Sequence, residues 1–576
     1  MKLNHCLSIL AVVVFGGILA SVAAQPAIAQ IQVNSANPSA TPQGTINLNV
    51  VVTGNGFKKG AKAQWFVTDT TNPGGVTVNS TTFNGSTQLT ANITVASDAV
   101  ISGFDIVVTN LDGRTGKGTD KFAVIQGSNN ANSCTVQPLP SGISWVASLN
   151  YVIASGAAAF GANFGVTTRS RQMVLGGVNV LIVGVGTPAT TGNLEIFVLN
   201  PSTGQVLDGT MIGSNTVVQP HITVNLRAGT SGLSVGDVNG DGIPDFLAGS
   251  KETNAANAVV GSVDANGILS YGVYPLTIPA NVSGAGWSGA MGDLKGSGDD
   301  VMALGAIGGG TTPGQVLLYE WNGLGFTNYL NIVSPLQNQK GGEEFGHGVA
   351  IADVTGGTAQ DLIVGAPGSI VGGQSGAGRV LIFPGPVSAT NYVSLTTGVK
   401  NDAMGTYVAT GDIDGDASAD GYMDVLATAA VRALGYYGPI SGGQSSSSIA
   451  QPQSKLSSGW STTQPAVGDI NGDGFADVLI GAPNATSQPI CGGVAYLWLS
   501  AGTPLATQIL LSTPVANAGL YGWATGFGPG TRLFFVTDHY LNIGTTSEAG
   551  QVYIYKVNSV VSQRYANKIN WLSETG

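Results

Sequence analysis

Five segments of the chain place acidic residues just before an apolar run. In the clearest, "GDINGDGFADVLIGAP" from Gly468 to Pro483, side chains with oxygen ligands stand at loop positions 1, 3, 5 and 9, and a glycine stands at position 6. Position 7 can add a backbone carbonyl. Several oxygen ligands on a short, flexible turn suit a hard cation, and a cage of this size suits Ca²⁺ better than Mg²⁺. The spacing therefore predicts calcium-binding loops.

Two loops carry the complete ligand set, and a third carries most of it. The ligands expected in the first loop are Asp237, Asn239, Asp241, the carbonyl of Ile243, and Asp245. Those expected in the second are Asp469, Asn471, Asp473, the carbonyl of Phe475, and Asp477. The third loop offers Asp412, Asp414 and Asp416, with extra residues before Asp424. We therefore expect two to three Ca²⁺ sites.

Two further loops depart from this pattern. One keeps Asp353 and Asp361 but has Thr355 and Gly357 between them, so a weaker calcium site is expected there. In the other, Lys295 stands at position 3, and its ammonium is expected to replace the cation by pairing with Asp293 and Asp300.

Two alternatives compete with a calcium loop of this kind. An EF-hand needs a glutamate at position 12, where these loops have Ala248 and Ile480, so the EF-hand is excluded. A solvated Asx-turn without metal stays open. Bound calcium would stabilise the folded chain by mass action.

The loops belong to a repeat. Their leading aspartates are separated by 56, 60, 59 and 57 residues: Asp237, Asp293, Asp353, Asp412 and Asp469. Copies without the acidic loop begin at Phe164-Gly165 and Tyr521-Gly522, which makes seven. Each copy continues into further short strands, which favours a propeller blade of four antiparallel strands over a β-solenoid with shorter rungs. The prediction is a seven-bladed β-propeller over residues 144–558.

This repeat resembles a known family. Phe345-Gly346 with Gly365-Ala366-Pro367, and Gly481-Ala482-Pro483 after an acidic loop, are similar to the FG-GAP repeats of integrin alpha-subunit propellers. The resemblance implies a propeller fold with ligands on the face opposite the calcium loops, and it indicates no individual ligand-binding residue.

The rest of the chain adds an export signal and a smaller domain. Lys2, the apolar run Leu7–Val22 and Ala27-Ile28-Ala29 predict a signal peptide over residues 1–29, cleaved after Ala29. Residues 30–126 alternate apolar and polar positions in about seven short strands, and "TGNGFKKGAKAQWF" resembles the Ig-like family called IPT/TIG. Residues 127–143 are a predicted linker and 559–576 a tail. The predicted fold class is all-β, an Ig-like β-sandwich followed by the propeller.

The charge, hydropathy and motifs of the chain exclude several classes of function. A net charge of −11 with no basic stripe argues against nucleic acid as a partner, and no apolar run of the mature chain is long enough to cross a membrane. No nucleophile motif accompanies His221, His347 or His539, so an enzyme is not expected. Carboxylate pairs for sugar cleavage stay open, although Glu343-Glu344 is expected to be a solvated turn.

The resulting hypothesis is an exported calcium-binding protein for adhesion or protein–protein binding at the cell surface. A subunit of a surface layer or filament, formed by self-assembly, is one alternative. A polysaccharide-binding or polysaccharide-cleaving protein is another, so the partner is a protein or a glycan. Trp287, Trp460 and Trp523 recur in phase near blade starts, either as core residues or as a sugar-stacking funnel. Cys134 and Cys491 form a disulfide or stay as buried thiols.

Overall fold

The chain is described here by a computed structural model. The residues it describes are 31–42, 45, 47–68, 70–96, 99–100, 102–125, 139–140, 142–149, 164–188, 192–207, 211–212, 216–217, 221–226, 229–336, 342–415, 421–430, 432–444, 446–450, 463–485, 492–500, 507–512, 519–541 and 549–558. Several predictions fall outside them, namely those on the signal peptide, Cys134, Asp416, Trp460, Cys491 and the tail. The chain divides into two compact units, residues 1–127 and 128–576.

The first unit contains two four-stranded sheets around one core. Its strands are β1 (Gln32–Asn37), β2 (Ala40–Pro42), β3 (Leu48–Asn55), β4 (Lys62–Val67), β5 (Val76–Gly85), β6 (Gln88–Val95), β7 (Ser102–Thr109) and β8 (Thr115–Ile125). The sheet orders are β1-β3-β6-β5 and β2-β8-β7-β4. In β6, alternate residues from Leu89 to Val95 are buried, as the period of a strand requires. Their side chains join Trp65 and Phe122 in the shared core.

The second unit begins with three antiparallel four-stranded sheets. Sheet 1 contains β10 (Thr168–Leu175), β11 (Val178–Gly186), β12 (Asn193–Leu199) and β15 (His221–Asn225); a short pair, β13 (Met211–Ile212) and β14 (Thr216–Val217), precedes β15. Sheet 2 contains β16 (Gly232–Gly236), β17 (Asp245–Ser250), β18 (Ala255–Val263) and β19 (Leu269–Pro275). Sheet 3 contains β20 (Ala285–Gly292), β21 (Val301–Ala306), β22 (Gln315–Trp321) and β23 (Phe326–Val333).

Four more sheets of the same kind follow. Sheet 4 contains β24 (Val349–Ala352), β25 (Asp361–Ala366), β26 (Arg379–Phe383) and β27 (Val393–Leu395). Sheet 5 contains β28 (Val408–Gly411), β29 (Asp424–Ala429), β30 (Arg432–Tyr436) and β31 (Ser447–Ala450). Sheet 6 contains β32 (Ala466–Gly468), β33 (Asp477–Ala482), β34 (Val494–Leu499) and β35 (Thr507–Ser512). Sheet 7 contains β36 (Tyr521–Phe527), β37 (Leu533–Asp538), β38 (Gln551–Val557) and, as its fourth strand, β9 (Ile143–Leu149) from the start of the unit.

Hydrophobic clusters lie between neighbouring sheets. In the part of the chain that the structure describes, one cluster spans each successive pair of sheets from 1 to 7. Another joins sheet 7 to sheet 1 and contains Phe164, Leu181, Phe535 and Ile554. The first strand of each sheet also contacts the first strand of the next, and β36 contacts β10. The second strands of sheets 2 to 7 are buried along their whole length, as expected for strands covered on both faces.

Each Gly-Ala-Pro segment lies against a glycine at or just before the first strand of the next sheet. A Cβ added to Gly365 would lie 1.9 Å from the carbonyl oxygen of Gly405, and one added to Gly481 would lie 1.8 Å from that of Gly522. Gly522 has a φ of 88°, in the left-handed region that favours glycine. The glycines of the repeat are therefore explained by close contact between successive sheets.

Helices contribute little to the described architecture. The described segments contain no helix with the length and apolar character needed to cross a membrane. Four-stranded antiparallel sheets account for nearly all regular structure, so the all-β prediction is confirmed, and the sheets are consistent with propeller blades.

Candidate metal centres

The acidic loops connect the first strand of a sheet to its second strand. The last aspartate of each calcium loop is the first residue of the second strand: Asp245 in sheet 2, Asp424 in sheet 5 and Asp477 in sheet 6. All three carboxylates are fully buried. The position expected to close the cation site is thus fixed by the strand, whereas the other ligand positions lie on the turn.

The sheet 6 loop shows how its buried carboxylate is held. Asp477 accepts hydrogen bonds from the backbone N–H of Ile470 at 3.0 Å and of Ser500 at 2.8 Å. Burial and, to a lesser extent, the nearby charges of Asp473 and Asp469 raise the pKa of Asp477 to about 8. A cation beside these carboxylates would oppose both effects and favour the ionised form.

The remaining predicted ligands of this loop fold back over it. Asp469 accepts hydrogen bonds from the N–H of Gly472 at 2.7 Å and of Gly474 at 2.9 Å. Asn471 donates its amide to Asp473 at 2.8 Å, and Asp473 accepts the N–H of Phe475 at 3.0 Å. Asp469, Asn471 and Asp473 are therefore gathered on one turn, beside the residue whose carbonyl is the expected position 7 ligand.

The sheet 2 loop has the same construction and shows an oxygen without a partner. Asp237 accepts the N–H of Gly242 through Oδ2 at 2.8 Å, and Asp241 accepts the N–H of Ile243 at 2.8 Å. Among the described residues, Asp237 Oδ1 is buried and has no hydrogen-bond partner. Burial raises the pKa of Asp245 in this loop to about 7. A buried carboxylate oxygen lacking a donor fits the need for a cation.

The sheet 5 loop brings three carboxylates together. One carboxylate oxygen from each of Asp412, Asp414 and Asp424 lies within 4.8 Å of the others. Asp412 Oδ1 is buried and, in the described part of the loop, has no hydrogen-bond partner. Burial raises the pKa of Asp424 to about 6. This acidic triad is a candidate metal site, and Asp416, its fourth predicted ligand, is outside the described residues.

In the sheet 4 loop, both oxygens of the buried aspartate accept hydrogen bonds from protein donors. Asp361 Oδ2 accepts the N–H of Val354 at 2.8 Å, the N–H of Thr355 at 2.7 Å and the Thr355 hydroxyl at 3.0 Å. Its other oxygen accepts the N–H of Gly385 at 3.0 Å. Asp353 accepts the N–H of Gly356 at 2.9 Å. The weaker calcium site expected here would have to compete with these donors.

In the sheet 3 loop, the predicted role of Lys295 is wrong. Its ammonium forms an ion pair with Glu320 on the third strand and lies 4.3 Å from the centre of the Tyr329 ring. The Asp293 carboxylate instead accepts the N–H of Ser297 at 3.0 Å and of Gly298 at 2.7 Å. The loop is closed by its own backbone, because both carboxylate oxygens of Asp293 already accept backbone N–H groups.

Asp300 of this loop connects two sheets. It accepts the N–H of Asp237 in the sheet 2 loop at 2.7 Å and forms an ion pair with Arg171 of sheet 1 at 3.4 Å. The N–H of Asp300 also donates to the Asp237 carbonyl at 3.1 Å. Neighbouring loops are thus hydrogen-bonded to each other, and one loop's conformation affects the next.

A cavity lies at the opposite end of the sheets. Its volume is about 610 Å³, and its lining residues lie in the strands of the seven sheets or within three residues of them. Trp287 and Trp523 are half-buried and line this cavity instead of the core between sheets. Other lining residues were not predicted from the sequence to belong to a site. They include Tyr407, Tyr540 and two histidines, His347 and His539. The in-phase tryptophans were the one sequence signal for this site.

The acidic pair of sheet 4 differs from its prediction. Glu343 is fully buried, so the expected solvated turn is wrong for this residue. Among the described residues neither of its carboxylate oxygens has a hydrogen-bond partner. Glu343 does not line the cavity, where Glu252 is the one carboxylate among the described lining residues. The described lining of this cavity therefore holds one carboxylate, whereas sugar cleavage uses a pair.

Comparison with known proteins finds two similarities, one to a repeat family and one to a single protein. Residues 461–496 match the family model of the FG-GAP repeat. Over 286 residues, 48% of the chain, the sequence is 27% identical to integrin alpha-PS2 of Drosophila melanogaster. That match covers 16% of the integrin chain's length. The predicted resemblance is confirmed to this extent: an FG-GAP repeat, and a distant similarity to an integrin alpha subunit.

Proposed function

We propose that this chain is an exported calcium-binding β-propeller protein that mediates adhesion or protein–protein binding at the cell surface. In this proposal the seven sheets of the second unit close into one ring over residues 144–558. The first unit, residues 30–126, is an Ig-like module that acts as a spacer or a second binding module. The distant similarity to an integrin alpha subunit supports a binding role outside the cell.

The observation that carries the proposal is the junction of the first and last sheets. β9 from the start of the unit pairs with β38 near its end, from Ile143–Val557 to Leu149–Val552. Ser170 of sheet 1 also donates its hydroxyl to the Phe527 carbonyl of sheet 7 at 2.6 Å. Closing the ring in this way leaves only short, protected sheet edges, which is the advantage of a propeller.

Calcium in this proposal stabilises the loops at one end of the ring. The ligands in sheets 2, 5 and 6 would be the predicted ones: Asp237, Asn239, Asp241, Ile243, Asp245, Asp412, Asp414, Asp416, Asp424, Asp469, Asn471, Asp473, Phe475 and Asp477. The cation would provide the positive charge that the buried carboxylates lack, and no reaction is assigned to it. The opposite end stays free to contact a partner.

A cell-binding assay tests the proposal. Fluorescently labelled full-length protein would be added to cells of the native source in calcium or in EDTA. Saturable binding in calcium and at least a tenfold loss in EDTA are expected. The paired variant Asp237→Ala/Asp469→Ala should reproduce the loss in calcium, whereas Asp353→Ala serves as the matched control. Absence of cell binding together with calcium-dependent polymers on size exclusion would replace adhesion by self-assembly into a surface layer.

A further inference from the structure

The cavity opposite the acidic loops has a wall of aromatic rings. Trp287, His347 and Tyr407 come from sheets 3, 4 and 5, with ring centres 4.8 Å apart for the first pair and 5.7 Å for the second. In sheet 7, His539 lies 4.0 Å from the ring centre of Trp523 and 4.1 Å from that of Tyr540. Two arcs of rings, contributed by four sheets, therefore line the same cavity.

The two histidines of this wall are uncharged at neutral pH. Burial lowers the pKa of His347, and it lowers the pKa of His539 to about 3. Nδ1 of His347 lies 2.6 Å from the Thr406 carbonyl, to which a neutral ring must donate its proton. Nε2 of His347 is then an acceptor. The wall thus offers neutral ring surfaces.

Charge in the cavity disfavours a cationic ligand. Lys251 Nζ lies 4.2 Å from the centre of the Trp287 ring, so the protein's own cation occupies that face. Arg169 adds a second positive charge. Glu252 is the one described carboxylate of the lining, and it already accepts the Ser231 hydroxyl at 2.8 Å. A ligand without positive charge is therefore favoured.

A polar contact lies between this cavity and a neighbouring one. Arg169 donates to the Thr168 carbonyl at 2.7 Å and also to the side chain of Gln464. Arg169, Gln464 and Thr525 line this cavity and a second one of about 430 Å³ that reaches Asp469 of the acidic loop. The Arg169–Gln464 contact lies where the two cavities meet. A ligand resting on it would meet polar groups beneath the aromatic wall.

We propose that this cavity, the aromatic cavity, binds an oligosaccharide. A pyranose ring presents a flat face of C–H groups that can pack on an aromatic ring, and hydroxyls that need both donors and acceptors. The wall supplies the rings, and Thr406, Gln464 and Glu252 supply polar groups elsewhere in the lining. The volume of about 610 Å³ lies within the ~300–1,000 Å³ of ligand sites. The inference rests on the proposed function, because it names the class of surface ligand that the ring would bind.

Glycan binding by the full-length protein tests the inference. An array of neutral and uronate-containing oligosaccharides would be probed in calcium buffer. The glycans that bind on the array would then be titrated by calorimetry and by tryptophan fluorescence. We expect saturable binding with quenching of tryptophan emission. Tighter binding of uronate-containing glycans than of neutral ones would show that Arg169 and Lys251 contribute to affinity. Equal binding of the two classes would show that the aromatic rings provide most of the affinity.

Variants locate the binding. Trp523→Ala and the more exposed Tyr540→Ala should each weaken affinity at least tenfold. Trp321→Ala is the control, since Trp321 is a half-buried residue packed on Tyr274 and Phe326 outside the cavity lining. Unchanged affinity in both cavity variants, or no glycan bound at all, would overturn the inference. Calcium-dependent binding to cells, measured on the same preparation, would still support the proposed function in that case.

Discussion

The loops of sheets 6 and 4 solve the same structural problem in different ways. Both end in a buried aspartate that accepts the N–H of the second loop residue, Ile470 in one and Val354 in the other. In sheet 4 the Thr355 hydroxyl also donates to Asp361. In sheet 6 the equivalent position is Asn471, which together with Asp473 adds ligands instead of a donor to the buried carboxylate. A buried aspartate is thus common to both loops, whereas a cation is predicted only where acidic residues accumulate.

The comparison shows where calcium would act. Carboxylates crowded on one turn repel each other, so Asp473 and Asp469 contribute to the raised pKa of Asp477. Sheet 5 is the extreme case, with three carboxylates within one cluster. Sheet 4 has fewer acids in its loop, and sheet 1 lacks the loop altogether, since Gly176-Gly177 joins its first two strands. Four predictions test this division, from the largest expected effect to the smallest.

Removal of calcium should have the largest effect. Each occupied site stabilises the fold by about 4 kcal/mol when calcium is a thousandfold above Kd. With two to three sites, we expect EDTA to lower the Tm by roughly 10 °C or more. Calorimetry of calcium-loaded and chelated protein measures the shift. An unchanged Tm, in a sample shown by metal analysis to have contained calcium, would contradict the assignment of all three loops.

Asp469→Ala should separate the sheet 6 loop from the sheet 4 loop. The variant should lose one bound calcium and about 2–4 kcal/mol of unfolding free energy in calcium buffer. Asp353→Ala, at the matching position of sheet 4, should lose no calcium and change stability by about 1 kcal/mol or less. Equilibrium dialysis with denaturant unfolding measures both. Equal calcium loss in the two variants would show that the sheet 4 loop binds the cation as well.

Much of the acidic-loop end could be predicted from the sequence, because its carboxylates are close neighbours in the chain. The spacing of Asp469, Asn471 and Asp473 fixes a turn, and the apolar run after Asp477 fixes the buried strand. The partner of Lys295 could not be predicted, since Glu320 lies on the third strand of the sheet. Contacts between residues that are close in sequence can be predicted in this way. An ion pair between two strands depends on the register of those strands, which the sequence does not give directly.

The aromatic cavity was mostly beyond prediction. Trp287 and Trp523 recur in phase, but their separation along the chain hides that they line one cavity. His539 and Tyr540 follow the second strand of sheet 7 and carry no motif of their own. The pairing of β9 with β38 likewise joins residues from opposite ends of the unit. Sites assembled from several sheets become visible only when the order of those sheets in space is known.

Asp412→Asn should destabilise the protein when calcium is present and stabilise it when calcium is absent. With calcium present, the loss of one negative ligand should weaken affinity about tenfold, because ligand charge sets the affinity of such sites. Without calcium, the variant should be more stable than the wild type by about 1 kcal/mol, because one charge is removed from the cluster of three. Denaturant unfolding in the two buffers measures the change. The same direction of effect in both buffers would show that the cluster does not hold the cation.

The smallest effect is expected from Thr355→Val in sheet 4. Valine keeps the shape of threonine but removes the hydroxyl that donates to Asp361 Oδ2 at 3.0 Å. The two backbone donors to that oxygen remain, so the cost should be about 1 kcal/mol. The cost should be the same in calcium and in EDTA, as measured by denaturant unfolding. A penalty that disappeared in calcium would mean that a cation replaces the hydroxyl, and the contrast between a metal-closed loop in sheet 6 and a hydroxyl-closed loop in sheet 4 would be lost.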